Sequence, residues 1–304
     1  MLKFRIPSAL ALIAFFALAI WGIYKPYLFW LLPLWACVLV FAASMEMLNM
    51  TKTKGIYKAW TVIAAQLVLL GGYFFFRYPN FQRIKVVLGF IALLVFTATF
   101  LIPLVKNSFE GALQSVSASF LTLLYIPVPF AMLLGVALIG FSCSKLDGRW
   151  FLPYFVAVVK SADIGAYFVG TLFARSPLGS HKFVPEISPN KSIEGIVGGV
   201  CLSLAVGILG SLYLPSVSEA MLLLGSRITE SASVGRILGA AVISLILCLL
   251  SIVGDLVESI WKRDCGLKDS ASYVPGMGGI LDVADSLILA APFMYAITLT
   301  LSRF

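Results

Sequence analysis

Long apolar runs separated by short polar segments make up most of this chain. A transmembrane helix needs about 20 predominantly apolar residues, and runs of roughly that length recur from one end to the other. They predict about nine spans, at residues 8–24, 27–45, 59–76, 86–105, 119–141, 151–173, 196–214, 237–256 and 280–301. Pro127 and Pro129 are expected to kink the fifth span, because proline cannot donate a backbone hydrogen bond. The predicted fold class is an all-α integral membrane protein, a polytopic helical bundle.

Composition supports the membrane assignment and limits the partners. Of the 304 residues, 61% are hydrophobic and only 12% are charged, which is too apolar for a soluble domain of this size. The net charge is +8, but the basic residues are scattered through short loops. Such a distribution favours anionic lipid headgroups or nucleotide phosphates as partners and argues against nucleic acid. The segment 218–233 is polar and weakly charged, and we expect it to be a loop outside the membrane.

Polar and charged residues concentrate between the last two spans, at residues 254–285. Asp255, Ser259 and Lys262 are spaced i, i+4, i+7 and would line one face of a helix. Asp282 and Asp285 are spaced i, i+3 at the start of the last span, where carboxylates could hold a divalent cation. Three basic side chains in this stretch could bind phosphate oxygens: Lys262, Arg263 and Lys268.

Simpler explanations exist for each of these features. Juxtamembrane Lys and Arg often mark only the cytoplasmic side of a membrane, and Asp at a helix start is a common cap. Glu46, at the end of the second span, is likewise expected to be an interfacial cap. The combination of carboxylates, basic residues and a GMGG loop in one short stretch favours a metal-assisted phosphate site instead.

A second informative stretch begins inside the sixth span. Lys160 and Asp163 are spaced i, i+3 in an otherwise apolar helix, where ionisable side chains are costly and commonly functional, although a structural ion pair remains the alternative. In the following loop, Ser192 can cap a helix that begins near Ile193, so that Lys191 would stand beside an anion-binding helix terminus. The single histidine, His181, is expected to be a solvated loop residue.

Both stretches resemble the signatures of the phosphatidate cytidylyltransferase, or CDP-diacylglycerol synthase, family. The C-terminal residues that match are Ser259, Lys262, Arg263, Lys268, Asp269, Pro275, Gly278, Gly279, Asp282 and Asp285. The earlier ones are Asp163, Gly165, Ala166, Tyr167, Gly170, Ser188, Pro189, Lys191, Ser192, Glu194 and Gly195. Some positions depart from the family pattern: Ala162 replaces a common Asn, Met277 a usual His, and Val283 a usual Arg, and Trp261, Val274 and Ala284 are lesser departures.

The resemblance implies an enzyme that makes CDP-diacylglycerol and pyrophosphate from CTP and phosphatidic acid, with Mg²⁺ as the cofactor. The implied catalytic residues are Asp285, Asp282, Lys268, Lys262 and Arg263. The implied substrate-binding residues are Lys191, Ser259, Asp269, Gly278, Gly279 and Ser188. The implied metal ligands are Asp285 and Asp282, completed by Asp255 or Asp163. Gly276, Gly278 and Gly279 would let backbone amides approach the phosphates.

Two regions follow from this interpretation. Residues 1–150 would be N-terminal transmembrane helices with about five spans. Residues 151–304 would be the catalytic region, with about four spans and two polar active-site loops. Basic residues are slightly more numerous on the side that carries both loops, which favours a bacterial inner membrane protein with a cytoplasmic active site among membrane lipids. A homodimer is left open, and so is a transporter or flippase for an anionic substrate, in which Lys160 and Asp163 would line a path.

Overall fold

The computed structural model describes residues 2–23, 25, 27–53, 55–106, 110–142, 146–174, 181–272 and 278–302. Most of these residues are helical. The helices are α1 (Leu2–Gly22), α2 (Leu31–Met50), α3 (Ile56–Arg77), α4 (Gln82–Lys106), α5 (Ala112–Tyr125), α6 (Pro127–Ala137), α7 (Ile139–Ser142), α8 (Gly148–Ala174), α9 (Ile193–Tyr213), α10 (Pro215–Ile228), α11 (Ala232–Asp264) and α12 (Ile280–Leu301). Strands β1 (Lys182–Val184) and β2 (Ser188–Ser192) form an antiparallel hairpin between α8 and α9.

The predicted fold class is confirmed. The described part of the chain contains 8 helical segments long and apolar enough to cross a membrane, and α1 adds a shorter apolar segment, Leu10–Gly22. Each segment coincides with one predicted span. The protein is therefore an all-α, multi-pass membrane protein.

The fifth span is interrupted at the first of the two prolines that were expected to kink it. Helix α5 ends at Tyr125 and α6 begins at Pro127, with Ile126 between them. Pro127 has no N–H to continue the ladder, whereas the Phe130 N–H donates to the Ile126 carbonyl at 3.3 Å and resumes it. The break therefore follows from the missing proline donor.

The loop expected at 218–233 is wrong, because most of it belongs to helix α10. This helix begins with Pro215 in its first turn, a position that proline favours. Val217, Ala220 and Met221 are completely buried, and with Leu224 they follow the i, i+3, i+4, i+7 spacing of one helical face. Low hydrophobicity hid the helix, but its periodicity was present in the sequence.

The chain divides into two compact units. The first unit comprises Met1–Ser142 and Asp264–Ala284, and the second comprises Cys143–Arg263 and Asp285–Phe304. In the first unit, α3 packs against α2, α4, α5 and α6. These units differ from the predicted regions 1–150 and 151–304 chiefly because residues 264–284 group with the N-terminal helices.

The second unit is organised around a close contact between α8 and α9. A Cβ on Gly165 would lie 2.5 Å from the Gly198 carbonyl oxygen, and one on Gly195 would lie 2.9 Å from the Ala166 carbonyl oxygen. Larger residues at these positions would push the helices apart, so the glycines permit the small-residue packing typical of membrane helices. Gly165 and Gly195, which belong to the motifs noted above, therefore have a packing role.

Candidate active site

The candidate residues are divided between the two units. The first unit holds Lys268, Asp269, Gly278, Gly279 and Asp282. The second holds Asp163, Ser188, Lys191, Asp255, Ser259, Lys262, Arg263 and Asp285. The fold therefore supplies each unit with its own polar cluster.

In the second unit, an ion pair joins the hairpin to helix α11. Lys191 Nζ on β2 lies 2.8 Å from Asp255 Oδ2, and it also donates to the Ile252 carbonyl at 3.4 Å. Ser259 Oγ donates to Asp255 Oδ1 at 3.3 Å, which confirms that Asp255 and Ser259 share one helical face. Two predicted site residues of opposite charge, Lys191 and Asp255, are thus in direct contact.

The hairpin leads into α9 through the predicted cap. The Gly195 N–H donates to Ser192 Oγ at 3.1 Å, and α9 begins at Ile193. His181 is exposed, as predicted, and its Nδ1 lies 2.7 Å from Glu194 Oε1. The register of the hairpin, together with this cap, fixes the position of Lys191.

Helix α8 contributes a second polar contact. Lys160 Nζ donates to Ser286 Oγ at 2.7 Å and lies 3.3 Å from Asp163 Oδ2, so Lys160 and Asp163 form the ion pair that the sequence left as the alternative. Ser286 Oγ in turn donates to Asp163 Oδ2 at 3.3 Å. Ser286 adjoins Asp285 on α12, and this contact connects α8 with the candidate carboxylate.

Glu258 is a member of this cluster that the sequence interpretation did not single out. Its side chain is completely buried, and its Oε2 lies 3.2 Å from Lys262 Nζ, one turn further along α11. Arg263 Nε donates to the Ile187 carbonyl at 3.3 Å, in the hairpin. An acidic residue near the end of an apolar helix could have drawn attention to Glu258, because ionisable side chains are costly there.

Asp285 is the most buried of the three aspartates predicted as metal ligands in the second unit, with 6% of its surface exposed, whereas Asp163 and Asp255 are partly exposed. The Cβ that Gly254 lacks would lie 2.6 Å from the Asp285 carbonyl oxygen, so this glycine lets α11 approach α12 closely. Asp255 and Lys160 act on Asp285 electrostatically, and Glu258 is within hydrogen-bonding reach. In the described part of the chain, no Lys or Arg forms a direct ion pair with Asp285.

The placement of these carboxylates indicates how a divalent cation could bind to them. Among the described residues, no group of three or more acidic, His or Cys side chains is placed to hold a metal. Mg²⁺ is usually held by only one or two carboxylates and completes its shell with water and substrate phosphate. A buried carboxylate without a direct counter-ion, close to Asp255, fits that mode of binding.

In the first unit, Asp282 caps the start of α12. Its Oδ2 accepts hydrogen bonds from the Gly279 N–H at 2.7 Å, from the Ser270 N–H at 3.0 Å and from Ser270 Oγ at 2.9 Å. Gly278 has a φ of +91°, and a Cβ there would lie 2.5 Å from Asp282 Oδ2. The amide of Gly279, predicted to approach phosphate, is thus already paired within the protein.

Glu46 completes this cap from helix α2. Its Oε1 accepts from the Ile280 N–H at 2.8 Å, and its Oε2 accepts from the Leu281 N–H and from Ser270 Oγ, both at 2.8 Å. The side chain is completely buried. Glu46 is therefore a cap, as expected, but a buried one that serves a helix far along the chain.

The remaining first-unit candidates lie in the segment after α11. Lys268 and Asp269 are exposed. Burial raises the pKa of the nearby Cys265 thiol above its usual value, which leaves Cys265 a poor nucleophile. Pro275, Gly276 and Met277 lie outside the described residues, so the interpretations placed on them stay predictions.

The chain is similar to known proteins over most of its length. The family model described as "Cytidylyltransferase family" matches residues 3–301. The chain is 31% identical over 268 residues to a phosphatidate cytidylyltransferase of Staphylococcus haemolyticus (strain JCSC1435), covering 86% of this chain and 88% of that protein. It is 32% identical over 263 residues to the phosphatidate cytidylyltransferase of Bacillus subtilis (strain 168), covering 83% of each. Because the family model spans nearly the whole chain and both relatives align over most of their length, the chain belongs to the cytidylyltransferase family.

Proposed function

We propose that this protein is a phosphatidate cytidylyltransferase, which transfers CMP from CTP to phosphatidic acid and releases pyrophosphate. The observation that carries this proposal is the alignment, over most of both chains, with relatives that bear that name. A multi-pass membrane protein suits a reaction in which one substrate is a lipid. The clustered basic and acidic side chains of the second unit could bind the other substrate, a nucleoside triphosphate.

The proposed reaction makes and breaks one P–O bond. A phosphate oxygen of phosphatidic acid attacks the α-phosphorus of CTP, and the bond between the α-phosphorus and the bridging oxygen of pyrophosphate breaks. The second pKa of a phosphate monoester is about 6, so the nucleophile is largely ionised at neutral pH. The protein therefore has to orient two anionic substrates and to stabilise charge on the leaving pyrophosphate.

Four basic side chains are proposed to bind the phosphates: Lys191, Lys262, Arg263 and Lys268. Lys191 is paired with Asp255 at 2.8 Å, and Lys262 is paired with Glu258 at 3.2 Å. These carboxylates hold the ammonium groups in place before substrate binds. A phosphate that carries more than one negative charge can then compete for the same ammonium groups.

We further propose that Mg²⁺ binds at Asp285, with Asp255 as the second carboxylate. Mg²⁺ would neutralise charge on the triphosphate and on the departing pyrophosphate. The burial of Asp285 and the proximity of Asp255 support this assignment. Asp282 Oδ2 is within hydrogen-bonding distance of three donors, so Asp282 is a weaker candidate as a ligand. Asp163 is the alternative second carboxylate, since Asp163 and Asp255 are each paired with a lysine.

The proposed location is a bacterial inner membrane, with the polar segments after α8 and α11 on the cytoplasmic side. CTP is a cytoplasmic metabolite, and the modest excess of basic residues on that side agrees with this orientation. The transporter alternative has no support from the family match or from the named relatives. A homodimer remains a separate proposal, which mass measurement of the detergent-solubilised protein would test.

The decisive experiment supplies purified protein in detergent with CTP, phosphatidic acid and Mg²⁺. We expect a CDP-lipid and pyrophosphate in equal amounts, and we expect excess chelator to stop their formation. Reconstituted vesicles loaded with CTP provide the contrast with the transporter alternative. Transport of CTP or lipid without CDP-lipid formation would contradict the proposed function.

A further inference from the structure

The buried carboxylate of Glu46 binds the segment that carries the C-terminal candidate residues. Its three donors are Ser270 Oγ and the backbone N–H groups of Ile280 and Leu281, all at 2.8 Å. An ionised carboxylate only accepts hydrogen bonds, so its chemistry matches a site that presents only donors. All three donors are far from Glu46 in the sequence, because Glu46 lies on α2 and the donors lie at or before the start of α12.

Two carboxylates, those of Asp282 and Glu46, cap the start of α12. The Gly279 N–H donates to Asp282, and the next two amides, Ile280 and Leu281, donate to Glu46. The first N–H groups of a helix have no partner within the helix, and negative charge is favourable there. Asp282 accepts from one N–H group at this helix start, and Glu46 accepts from the next two.

The Ser270 hydroxyl connects the two carboxylates. Its Oγ lies 2.8 Å from Glu46 Oε2 and 2.9 Å from Asp282 Oδ2. A hydroxyl has one proton, so at any moment it donates to one of the two carboxylates. A shift of the Glu46 carboxylate would therefore change the hydrogen bonding of Asp282 through this hydroxyl.

Gly279 shows how closely this cap is packed. A Cβ at Gly279 would lie 2.1 Å from Ser270 Oγ and 2.3 Å from Glu46 Oε2. The glycine backbone lies directly against the two side chains and leaves no room for even a methyl group. The orientation of Glu46 is therefore tightly defined.

We infer that Glu46 is a positioning residue for the reaction: together with Ser270 it holds the first turn of α12, and hence Asp282, in its working orientation. This inference rests on the proposed function. Catalysis depends strongly on geometry, and a displacement of about 1 Å can cost about a hundredfold in rate. Glu46 itself need not touch either substrate, and it acts only through the groups that it holds.

The test uses purified wild type, Glu46→Gln, Glu46→Asp, Ser270→Ala and the double variant Glu46→Gln/Ser270→Ala. The glutamine keeps the size of the side chain, but its NH₂ group faces a donor in place of one acceptor oxygen. Glu110→Gln, a change at an exposed acid in the same unit, is the matched control. Each protein is assayed for kcat and KM with CTP and for thermal unfolding, and amide hydrogen exchange is followed over residues 278–284.

We expect Glu46→Gln to lower kcat at least tenfold, with KM for CTP changed less than threefold and with faster exchange confined to 278–284. Glu46→Asp should recover part of the rate. The double variant should be no worse than the poorer single variant, because the two residues act through one contact. Glu110→Gln should behave as wild type.

The outcomes separate this inference from the proposed function. Inactive wild type would overturn the proposed function itself. Active wild type with Glu46→Gln within twofold of its kcat would overturn the positioning role. A loss of rate that merely follows the folded fraction, in Glu46→Gln and Ser270→Ala alike, would make Glu46 a structural residue only and would also overturn it.

Discussion

Lys191 Nζ lies 2.8 Å from Asp255 Oδ2, and this ion pair fastens the polar hairpin of the second unit to α11. The exposed fractions of the two side chains are 21% and 33%, so solvent screens the pair only in part. Under the proposed function, a phosphate-binding cation and a metal-binding carboxylate are in contact before the substrates arrive. The pair therefore links substrate binding to the stability of the hairpin.

Replacing the cation of this pair should affect both properties. We expect Lys191→Ala to lower turnover at least ~100-fold, because it removes a phosphate-binding charge. It should also destabilise the protein by about 1 to 3 kcal/mol, because Asp255 loses a charged partner in a partly buried site. CDP-lipid formation and thermal unfolding measure the two effects. Lys182→Ala, at an exposed position of β1, is the control, and equal behaviour of the two variants would contradict the prediction.

Asp285 should show opposite effects on activity and on stability. Asp285→Asn removes a proposed Mg²⁺ ligand and should lower turnover at least ~100-fold. Because Asp285 is buried, the neutral variant avoids the cost of a buried charge and should unfold, without Mg²⁺, at or above the wild-type temperature. Mg²⁺ should raise the unfolding temperature of wild type but not of this variant. Asp264→Asn, at an exposed position, is the control, and a full Mg²⁺ response in Asp285→Asn would remove the assignment.

Asp282 provides the contrast to Asp285. We expect Asp282→Asn to lower turnover ~100-fold, because loss of the cap would displace the first turn of α12 and a shift of about 1 Å can cost about a hundredfold in rate. It should also destabilise the protein by about 0.5 to 2 kcal/mol, the usual range for loss of a helix cap. The Mg²⁺-dependent rise in unfolding temperature should persist in this variant. A variant as stable as wild type that has lost the Mg²⁺ response would instead identify Asp282 as a metal ligand.

Lys268 tests the phosphate role of the first-unit segment. Lys268→Ala should lose activity, and Lys268→Arg should recover only part of it, because an ammonium group and a planar guanidinium present different geometries to phosphate. The side chain is exposed, so neither change should alter the unfolding temperature. Lys85→Ala on α4 is the control. Normal KM for CTP and normal turnover in Lys268→Ala would leave Lys268 without a role in the reaction.

The departure at Met277 can be tested by restoring the histidine. The phosphate nucleophile is largely ionised near neutral pH, so general-base help would add little to the rate. We therefore expect the wild type to be active and Met277→His to raise its rate by no more than roughly a hundredfold. Undetectable wild-type activity together with robust activity of Met277→His would show that the chain had lost its chemistry at this position.

The transmembrane helices could be predicted from the sequence alone. Their length and apolar composition are local properties, so each predicted span has its counterpart in the structure. The break before Pro127 and the Ser192 cap were predictable for the same reason, because proline geometry and helix capping act within a few residues. Helix α10 was not predicted because its overall hydrophobicity is low, although its buried residues follow helical periodicity.

Contacts between distant segments were not predictable in this way. The sequence placed Glu46 at the end of a span, but only the fold brings its carboxylate to the amides of Ile280 and Leu281. Likewise, the tertiary structure decided that Glu258 pairs with Lys262 and that Lys191 pairs with Asp255. One sequence shows which residues carry charge, but which charges meet depends on helix packing, and that packing is set by close approaches such as the one at Gly254.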